Sequence, residues 1–536
     1  MPAPITASGL SAALAEWTEA LGSAHVSVDP GALRDAATAT FPTASTISAI
    51  LSPGTREEVQ RSVIIANRHR IPLSPISTGK NWGYGSSAPV LDGVLLDLGR
   101  LDRIVDFSEE LAYVTIEPGV TQRQLYDFLQ AQRSDLWMDA TGASPDCSVI
   151  GNTLERGFGH TPMGDHAGSA CGLQVVLPDG ACIETGFCRF PKSKVGAVAR
   201  NGLGPSFDGL FFQSNLGIVT RMSIWLMPAP EYFQAFFLQT EGTIGPLVDA
   251  LRPLRLNGTI RNVMHIGNDF KVLSGSGEYP WKESRGHTPL DRPTMDKLRA
   301  EIGFGRWNAS GAIYGTRVQV REARSLLRRA LGGIARLQFV DDGRIDFIRL
   351  IEPSYRFVTR RQDLRRALKL LPPLIQLLKG VPTDCFLASA YWRKKGGIPD
   401  DKNPDRDRCG LLWCSPVAPN TGKAVEELTA LASDRLVEHG FEPLISVSLL
   451  TERATVSTVA ITYDRDVPGE DQRAVRCYRA LVEELLRGGY PPYRLSIGSM
   501  EYADTGGPYG NMMQSIKRTL DPNGILSPGH YLPSDR

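Results

Sequence analysis

Apolar residues recur at helical spacing in several stretches of the chain. Those from Leu10 to Leu21 repeat every three or four positions, which predicts a helix over residues 8–21. A second helix is expected from Thr55, whose hydroxyl is placed to cap it, with Glu58 three residues further on. Further helices are predicted over residues 121–132, 363–371, 421–439 and 471–487.

Shorter apolar stretches, bounded by turn residues such as Pro178-Asp179-Gly180, predict strands. They cover residues 71–73, 93–98, 112–116, 172–177, 181–185, 217–227, 444–450 and 456–463. Helices and strands mix without a regular βαβ alternation, so we expect an α+β fold. Pro372-Pro373 is expected to stop or kink the preceding helix. The polar, charged stretch from Lys394 to Arg408 is interpreted as a loop.

The length of 536 residues is too great for one ordinary core. The composition changes at Pro228-Ala229-Pro230. We therefore expect a first domain over residues 1–228, a second over 229–490, and a C-terminal segment, 491–536, that returns to the first domain.

Composition and charge narrow the classes of partner. The content is 42% hydrophobic and 22% charged, with a formal net charge of +1, so nothing favours nucleic acid or an acidic membrane surface. No apolar run reaches the ~18 residues needed to span a bilayer, and no signal peptide is recognised. The eight cysteines show no metal-binding spacing, so we expect no metal and a cytoplasmic protein with reduced thiols.

The most informative stretch is the loop of residues 75–86, which carries Gly79, Gly83 and Gly85. Glycines let backbone N–H groups approach an anion closely, although the same composition also fits a tight surface turn. A P-loop is excluded because Lys80 is followed by asparagine. A dinucleotide fingerprint is excluded because the third glycine is missing.

This loop resembles the pyrophosphate-binding loop of the vanillyl-alcohol oxidase and 4-cresol methylhydroxylase flavoproteins. Four further stretches resemble the same family in order and spacing. They lie at residues 117–120, 148–166, 208–228 and 521–529. The resemblance is weaker between about residues 231 and 407. It implies a two-domain FAD-binding fold in which residues 229–490 form a cap over the isoalloxazine ring.

The resemblance also implies which residues contact FAD. They are Pro75, Ile76, Ser77, Thr78, Gly79, Lys80, Asn81, Tyr84, Gly85, Ser86, Pro118, Cys147, Ser148, Ile150, Gly151, Asn152, Glu155, Gly159, His160, Gly164, Asp165, Gly217, Ile218, Val219, Arg494 and His530.

Tyr84, Tyr493 and Arg494 match the family's catalytic residues, which surround the oxygen of a phenolic substrate. Hydride loss from the benzylic carbon is easy only when the phenol ionises, and a guanidinium with two hydroxyl donors would stabilise the phenolate. The product of hydride loss is a quinone methide. A purely structural ion pair with two packed tyrosines is the alternative interpretation.

Other positions depart from the family pattern. Leu411 stands where many members attach the flavin to a histidine, Tyr391 does not align cleanly with the tyrosine of the cresol branch, and a thiol such as Cys147 is more often simply packed. We therefore expect non-covalent FAD. The carboxylates that assist water attack are missing, although Asp139 and Asp146 flank one expected site. Loss of a β proton or of carbon dioxide, giving an alkene, thus competes with alcohol formation.

The resemblance further implies a small phenolic substrate and reoxidation by O2 or a separate electron acceptor, and a homo-oligomer is compatible with it. Two other classes stay open at this point. One is a flavin enzyme of the same fold that acts on a hydroxy acid or sugar. The other is a non-catalytic electron-transfer subunit.

Overall fold

A computed structural model describes residues 6–503 and 506–532, apart from residues 342, 344, 347–349, 351 and 353–362. The main described helices are α1 (Ala7–Leu21), α2 (Pro30–Ala37), α3 (Arg56–His69), α4 (Gln122–Ala131), α5 (Val149–Leu154), α6 (Ile244–Leu256), α7 (Asp269–Ser276), α8 (Arg292–Ile302), α9 (Arg317–Leu331), α10 (Asp363–Leu378), α11 (Gly422–Glu438), α12 (Glu470–Arg487) and α13 (Gly507–Leu520).

The strands form four sheets. Their bounds are β1 (Val26–Ser27), β2 (Ile47–Leu51), β3 (Leu73–Ile76), β4 (Gly93–Asp97), β5 (Ile104–Ser108), β6 (Tyr113–Ile116), β7 (Leu136–Trp137), β8 (Ala170–Val176), β9 (Cys182–Glu184), β10 (Ile218–Trp225), β11 (Met227–Pro228), β12 (Tyr232–Thr240), β13 (Met264–Asn268), β14 (Trp307–Gly315), β15 (Arg336–Val340), β16 (Cys409–Cys414), β17 (Val417–Pro419), β18 (Leu444–Leu449) and β19 (Ala454–Asp464).

The sheet orders are β1-β2-β4-β3, β5-β6-β10-β8-β9, β11-β7 and β15-β12-β14-β13-β18-β19-β16, with β17 also paired to β19. Only the β2-β4-β3 pairings are parallel among the described strands. This mixture confirms the predicted α+β class. The first three sheets use residues 26–228 and the fourth uses residues 232–464, which supports the predicted boundary near residue 228. The domain boundaries themselves stay a prediction.

The predicted helix starts are confirmed, because Thr55, Thr121 and Thr421 each accept a backbone hydrogen bond at an N-cap. Thr55 Oγ1 accepts from the Glu58 backbone N–H at 3.2 Å. The Glu58 carboxylate binds the Gly54 N–H, one residue before the cap, at 2.6 Å. Local hydrogen bonding therefore determines where α3 begins.

Pro372-Pro373 were expected to stop or kink a helix, and the expected stop was wrong. Helix α10 continues through both prolines to Leu378. A proline removes one backbone hydrogen bond and crowds the preceding turn, so continuation needs compensation. The last turn supplies it by burying Ile375, Leu377 and Leu378 against other apolar side chains. The stretch from Lys394 to Arg408 contains no helix or strand, as predicted.

The eight-stranded sheet presents one face to the candidate site. On β13, Met264 and Ile266 pack into the apolar core beneath helices α6, α9 and α11. His265 lies between them in the strand and so points to the opposite face. The C-terminal segment packs against β3, where the Leu73 N–H donates to the Ile525 carbonyl oxygen at 2.7 Å. This contact supports the predicted return of the chain to its first part.

Candidate active site

The glycine-bearing loop after β3 is held in a conformation that a larger residue would not adopt. Gly83 has a φ of 80°, and a Cβ added there would lie 1.8 Å from Trp413 Cδ1. The Gly83 N–H donates to Thr40 Oγ1 at 3.0 Å. Gly83 thus lets the indole of Trp413 lie directly against the backbone that leads into Tyr84.

Asp405 fixes the same loop from the opposite side. Its carboxylate accepts from Trp82 Nε1 at 3.0 Å and from Ser86 Oγ at 2.8 Å. Burial raises the pKa of Asp405 to about 6, and the two hydrogen bonds oppose part of that shift. Sequence reasoning missed this residue because it lies inside the charged loop before β16.

Two of the predicted FAD-binding segments meet in the structure. The Ser148 N–H donates to Thr78 Oγ1 at 3.1 Å. Ser148 Oγ caps α5 by accepting from the Gly151 N–H at 2.9 Å, and it donates to the Pro118 carbonyl oxygen at 2.6 Å. A Cβ on Gly151 would lie 2.5 Å from Ser77 Oγ. The close approach of these backbones fits the binding of an extended, anionic dinucleotide.

Cys147 lies beside this junction with its thiol turned toward protein. Its Sγ is 3.9 Å from the Lys80 carbonyl oxygen. Burial raises the pKa of the thiol to about 12. A thiol that stays protonated is a poor nucleophile, so the environment disfavours a cysteinyl flavin link.

The three predicted catalytic residues come together, although Tyr493 and Arg494 are more than 400 positions from Tyr84 in the sequence. The Arg494 guanidinium lies 4.2 Å from the centroid of the Tyr84 ring. The Tyr84 hydroxyl is 2.7 Å from Ser415 Oγ, and either can be the donor. Burial raises the pKa of both tyrosines, and Arg494 offsets part of each rise. Both phenols are therefore neutral and able to donate at neutral pH.

Arg494 is buried, and its charge is balanced within the site. Nη2 donates to Asn81 Oδ1 at 2.7 Å. Nε lies 3.1 Å from Glu155 Oε2, within ion-pair distance but not aligned for a hydrogen bond. Glu155 also accepts from the Tyr531 hydroxyl at 3.0 Å, and His530 Nε2 is 3.8 Å from its other oxygen. Glu155, predicted as a flavin contact, thus positions Arg494.

A line of aromatic rings extends from Tyr493 into the cap. Phe158 lies 6.0 Å from both Tyr493 and His265, measured between ring centroids. His265 lies 4.1 Å from His160, which stacks on Phe386 at 5.6 Å. The rings of Phe158, His265, His160 and Phe386 form what we call the aromatic wall, which begins next to Tyr493.

The two histidines in this wall are uncharged. Burial lowers the pKa of His265 to about 4 and that of His160 well below its ordinary value. His265 Nε2 faces the Gly159 carbonyl oxygen at 3.1 Å and must carry the proton, so Nδ1 accepts from Ser448 Oγ at 3.0 Å. Sequence reasoning missed His265, although its polar position between two buried strand residues was a signal.

The two carboxylates that flank the expected base position have other partners. Asp139 Oδ1 accepts from the N–H groups of His160 and Thr161 at 3.1 and 2.6 Å, and Oδ2 is 2.6 Å from His166 Nε2. Asp146 is exposed and pairs with Arg123 at 3.1 Å. Asp139 is thus occupied in holding the His160 segment together.

Leu411 and Tyr391, the two positions in the cap that were considered for flavin attachment, both make other contacts in the structure. Leu411 is buried in the aromatic cluster of the cap and offers no nucleophile. The Tyr391 hydroxyl donates to Asp407 Oδ2 at 2.6 Å, and burial raises its pKa. Non-covalent attachment stays a prediction that these contacts support.

Several other residues predicted to contact FAD lie in a short turn, before a strand or in apolar cores. Gly159 and Gly164 close a short turn in which the Gly159 N–H donates to the Gly164 carbonyl oxygen at 3.0 Å, and Asp165 caps the next turn at the Gly168 N–H. Gly217 lies just before β10 and close to Val175. The side chains of Ile150, Ile218 and Val219 are buried in apolar cores, so only their backbones can face a ligand.

Known proteins resemble this chain over nearly its whole length. It is 44% identical to the 1'-carboxy-chondrochloren decarboxylase of Chondromyces crocatus over 97% of each chain. It is 33% identical to the 4-cresol dehydrogenase [hydroxylating] flavoprotein subunit of Pseudomonas putida, covering 90% of this chain and 87% of the relative. The chain belongs to the vanillyl-alcohol oxidase family.

Two further comparisons identify the cofactor-binding domain and the fold. The FAD binding domain family matches residues 47–186. The structure superposes on p-cresol methylhydroxylase with substrate bound, with a TM-score of 0.89 at 30% identity, covering 100% of both chains. The two-domain FAD-binding fold is therefore confirmed, and this family member is an FAD-dependent oxidoreductase. Among the described helices, none is both long and apolar enough to cross a membrane.

Proposed function

We propose that this enzyme oxidises the benzylic carbon of a para-substituted phenol through a quinone methide. The observation that carries the proposal is the buried Arg494 guanidinium, 4.2 Å from the Tyr84 ring and beside the Tyr493 hydroxyl. FAD, when bound, supplies the acceptor for the hydride that leaves the benzylic carbon.

The chain's own residues act on the phenol oxygen. Tyr84 and Tyr493 donate hydrogen bonds to it, and the fixed charge of Arg494 favours the phenolate over the phenol. Electron density from the phenolate oxygen moves through the ring as the hydride leaves, and that oxygen becomes the carbonyl of the quinone methide. The aromatic wall from Phe158 to Phe386 excludes water from the ring.

The arrangement favours an alkene over an alcohol as the product. Alcohol formation needs a base to activate water, and the nearby Asp139 carboxylate already accepts from two backbone N–H groups and lies 2.6 Å from His166 Nε2. Loss of a β proton from the quinone methide needs a proton acceptor but no activated water, and loss of carbon dioxide needs neither. The 44% identical relative is named a decarboxylase, which supports the second of these routes.

Anaerobic mixing of the purified holoenzyme with 4-ethylphenol tests the proposal. We expect the flavin absorbance to bleach and 4-vinylphenol to exceed the benzylic alcohol in the product. The methyl ether of the same phenol cannot ionise and should not bleach the flavin. Bleaching by lactate or a sugar but not by 4-ethylphenol would instead assign the enzyme to the hydroxy-acid or sugar class. No bleaching by any of them, nor by a 4-alkylphenol that carries a carboxylate, would favour an electron-transfer subunit.

We further propose that O2 or a separate electron acceptor reoxidises the enzyme. The relative from Pseudomonas putida is named a flavoprotein subunit, which supports a protein acceptor. Reoxidation of the bleached enzyme by air within one turnover time would identify an oxidase. A cytoplasmic location and a homo-oligomeric state also stay predictions.

A further inference from the structure

Lys271 extends from the first turn of α7 across the face of the eight-stranded sheet. Its Nζ donates to Ser389 Oγ at 3.2 Å and lies 5.2 Å from the centroid of the Trp413 ring. The Ser389 hydroxyl donates to the Phe386 carbonyl oxygen at 2.8 Å, so its oxygen is free to face the ammonium group. The head group is thus held between α7, β16 and the segment around Ser389.

These neighbours also border the candidate active site. The Trp413 indole lies against Gly83, the residue before Tyr84. Phe386 stacks on His160 in the aromatic wall, at 5.6 Å between ring centroids. Lys271 is therefore adjacent to the phenol-binding residues, on the cap side of the site.

The charge of Lys271 lacks the carboxylate partner that three other enclosed cations have. Arg393 pairs with Glu442 at 2.6 Å, Lys517 with Asp521 at 2.7 Å and Lys394 with Asp464 at 2.9 Å. No described carboxylate lies within ion-pair distance of Lys271.

The titratable group that faces Lys271 is Cys385, and burial raises the pKa of that thiol to about 11. The thiol is therefore neutral near pH 7. Burial also lowers the pKa of Lys271 to about 8. By surface accessibility the Lys271 residue is half-buried, so it is not fully sealed off by protein. An enclosed cation without an anion is costly, so its retention needs a reason such as a ligand.

We propose that Lys271 binds a carboxylate on the side chain of the phenolic substrate. The inference rests on the proposed function and makes it more specific. The substrate class is a 4-alkylphenol whose carboxylate stands on the carbon next to the benzylic carbon. From that position, the bond to the carboxylate can break after hydride loss. Its electron pair forms the side-chain double bond and the ring regains its phenolate.

The reaction is balanced with FAD as the oxidant. The benzylic carbon loses one hydride to FAD, the neighbouring carbon loses carbon dioxide, and the products are a 4-alkenylphenol, carbon dioxide and reduced FAD. Ser389 and Trp413 hold the ammonium group in place, and the substrate supplies the negative charge that the described protein residues do not.

Equilibrium binding of two unreactive phenols tests the site in the holoenzyme. 4-Hydroxyphenoxyacetate places a carboxylate at the required position, and 4-ethoxyphenol has a methyl group there. Neither has an oxidisable benzylic carbon, so binding is followed through the perturbed flavin absorbance. We expect the carboxylate to bind about ten- to a hundredfold more tightly, and this ratio to collapse in Lys271→Met. Lys271→Arg, which keeps the charge, should retain part of the preference.

Lys297→Met is the matched control. It makes the same substitution at an exposed lysine, whose Nζ forms a solvent-exposed ion pair with Glu301 at 3.9 Å. It should leave the ratio of dissociation constants unchanged. Equal binding of the two probes by the wild-type enzyme would overturn the inference, even if Lys271→Met failed to fold. So would an unchanged ratio in folded Lys271→Met.

Turnover separates this inference from the proposed function. Flavin reduction by 3-(4-hydroxyphenyl)propanoate should release carbon dioxide and give 4-vinylphenol. If 4-ethylphenol reduces the flavin but the propanoate binds no better and releases no carbon dioxide, the carboxylate site is wrong and the phenol oxidase stands. If neither reduces the flavin, the proposed function itself fails.

Discussion

Arg494 stacks on Tyr84, with its guanidinium carbon 4.2 Å from the ring centroid. One residue comes from the loop after β3 and the other from the segment after α12. The same guanidinium hydrogen-bonds Asn81 in that loop and lies beside Glu155. The proposed contacts with substrate and flavin are therefore linked through one buried cation.

Two replacements of Arg494 distinguish the effect of its positive charge on flavin reduction from the effect of its forked shape. Arg494→Lys keeps the charge but loses the fork that reaches two acceptors, so we expect retained FAD and weak turnover. Arg494→Ala should lose most flavin reduction even at saturating substrate, because the phenolate loses its counter-charge. Stopped-flow reduction of the folded, FAD-loaded variants measures both effects.

Arg393→Lys is the control for burial, since Arg393 is equally buried but pairs with Glu442 away from the site. It should lower stability without changing the reduction rate. A normal reduction rate in folded Arg494→Ala would show that Arg494 is only structural.

Tyr84→Phe removes one donor to the phenol oxygen while keeping the ring beneath Arg494. Loss of a donor to a developing charge costs about 2.7–4 kcal/mol at its strongest, and sharing with Tyr493 and Arg494 should lower this. We expect flavin reduction about 10- to 100-fold slower with FAD still bound. Tyr463→Phe, which loses a buried hydrogen bond to Asp471 elsewhere, should reduce at the normal rate. Equal rates in both variants would remove Tyr84 from the site.

Gly83→Ala tests the close contact between the loop and Trp413. The added Cβ would lie 1.8 Å from the indole, at a φ of 80°. Left-handed strain costs roughly 1–2 kcal/mol, and overpacking adds roughly 1–3 kcal/mol, so we expect lower stability and weaker FAD binding. Gly489 has a nearly equal φ of 82° and no atom near the position of an added Cβ. Gly489→Ala should therefore show only the cost of the left-handed backbone conformation. Thermal midpoints and FAD content compare the two, and equal losses would contradict the contact.

Asp405 should make the loop more stable at mildly acidic pH. Its folded pKa of about 6 exceeds the ordinary 3.8, so the folded protein holds this proton more tightly than the unfolded chain does. The contribution of Asp405 to stability is therefore present below pH 3.8 and decreases as pH rises toward 6. The difference corresponds to at most ~3 kcal/mol, and solvent screening lowers it.

Asp405→Asn removes this titration and can keep both hydrogen bonds, because the Ser86 hydroxyl can turn to accept one. We expect the variant to gain stability relative to the wild type as the pH is raised from 4.5 to 7.5, measured by urea unfolding. Asp405→Ala, by contrast, should lose FAD at both pH values. A stability difference between Asp405→Asn and the wild type that does not change with pH would rule out the raised pKa.

FAD should be released by acid, because Leu411 offers no attachment atom and the Cys147 thiol and Tyr391 hydroxyl stay protonated. Acid precipitation of the holoenzyme followed by spectra of pellet and supernatant measures this. Yellow flavin that stays in the washed pellet would show a covalent link. Tyr391→Phe would then identify or exclude the tyrosine as its site.

The sequence by itself determined the local elements and the family. Helix starts at Thr55, Thr121 and Thr421 depend on side chains a few residues apart, so they can be predicted without tertiary information. The glycines of residues 75–86 and the Tyr493-Arg494 pair carry the resemblance that identified the cofactor. Their backbone requirements are local, which explains why the prediction of FAD as the cofactor succeeded.

Only the tertiary structure decided which groups balance the buried charges of the site and which side chains enclose it. Asp405, Glu155 and His265 are ordinary polar residues in sequence, and their roles follow from partners 183 to 376 positions away. The continuation of α10 through two prolines depends on apolar contacts that no local pattern shows. Long-range packing determines which polar groups are buried together, because burial sets both the cost of a charge and the partner it needs.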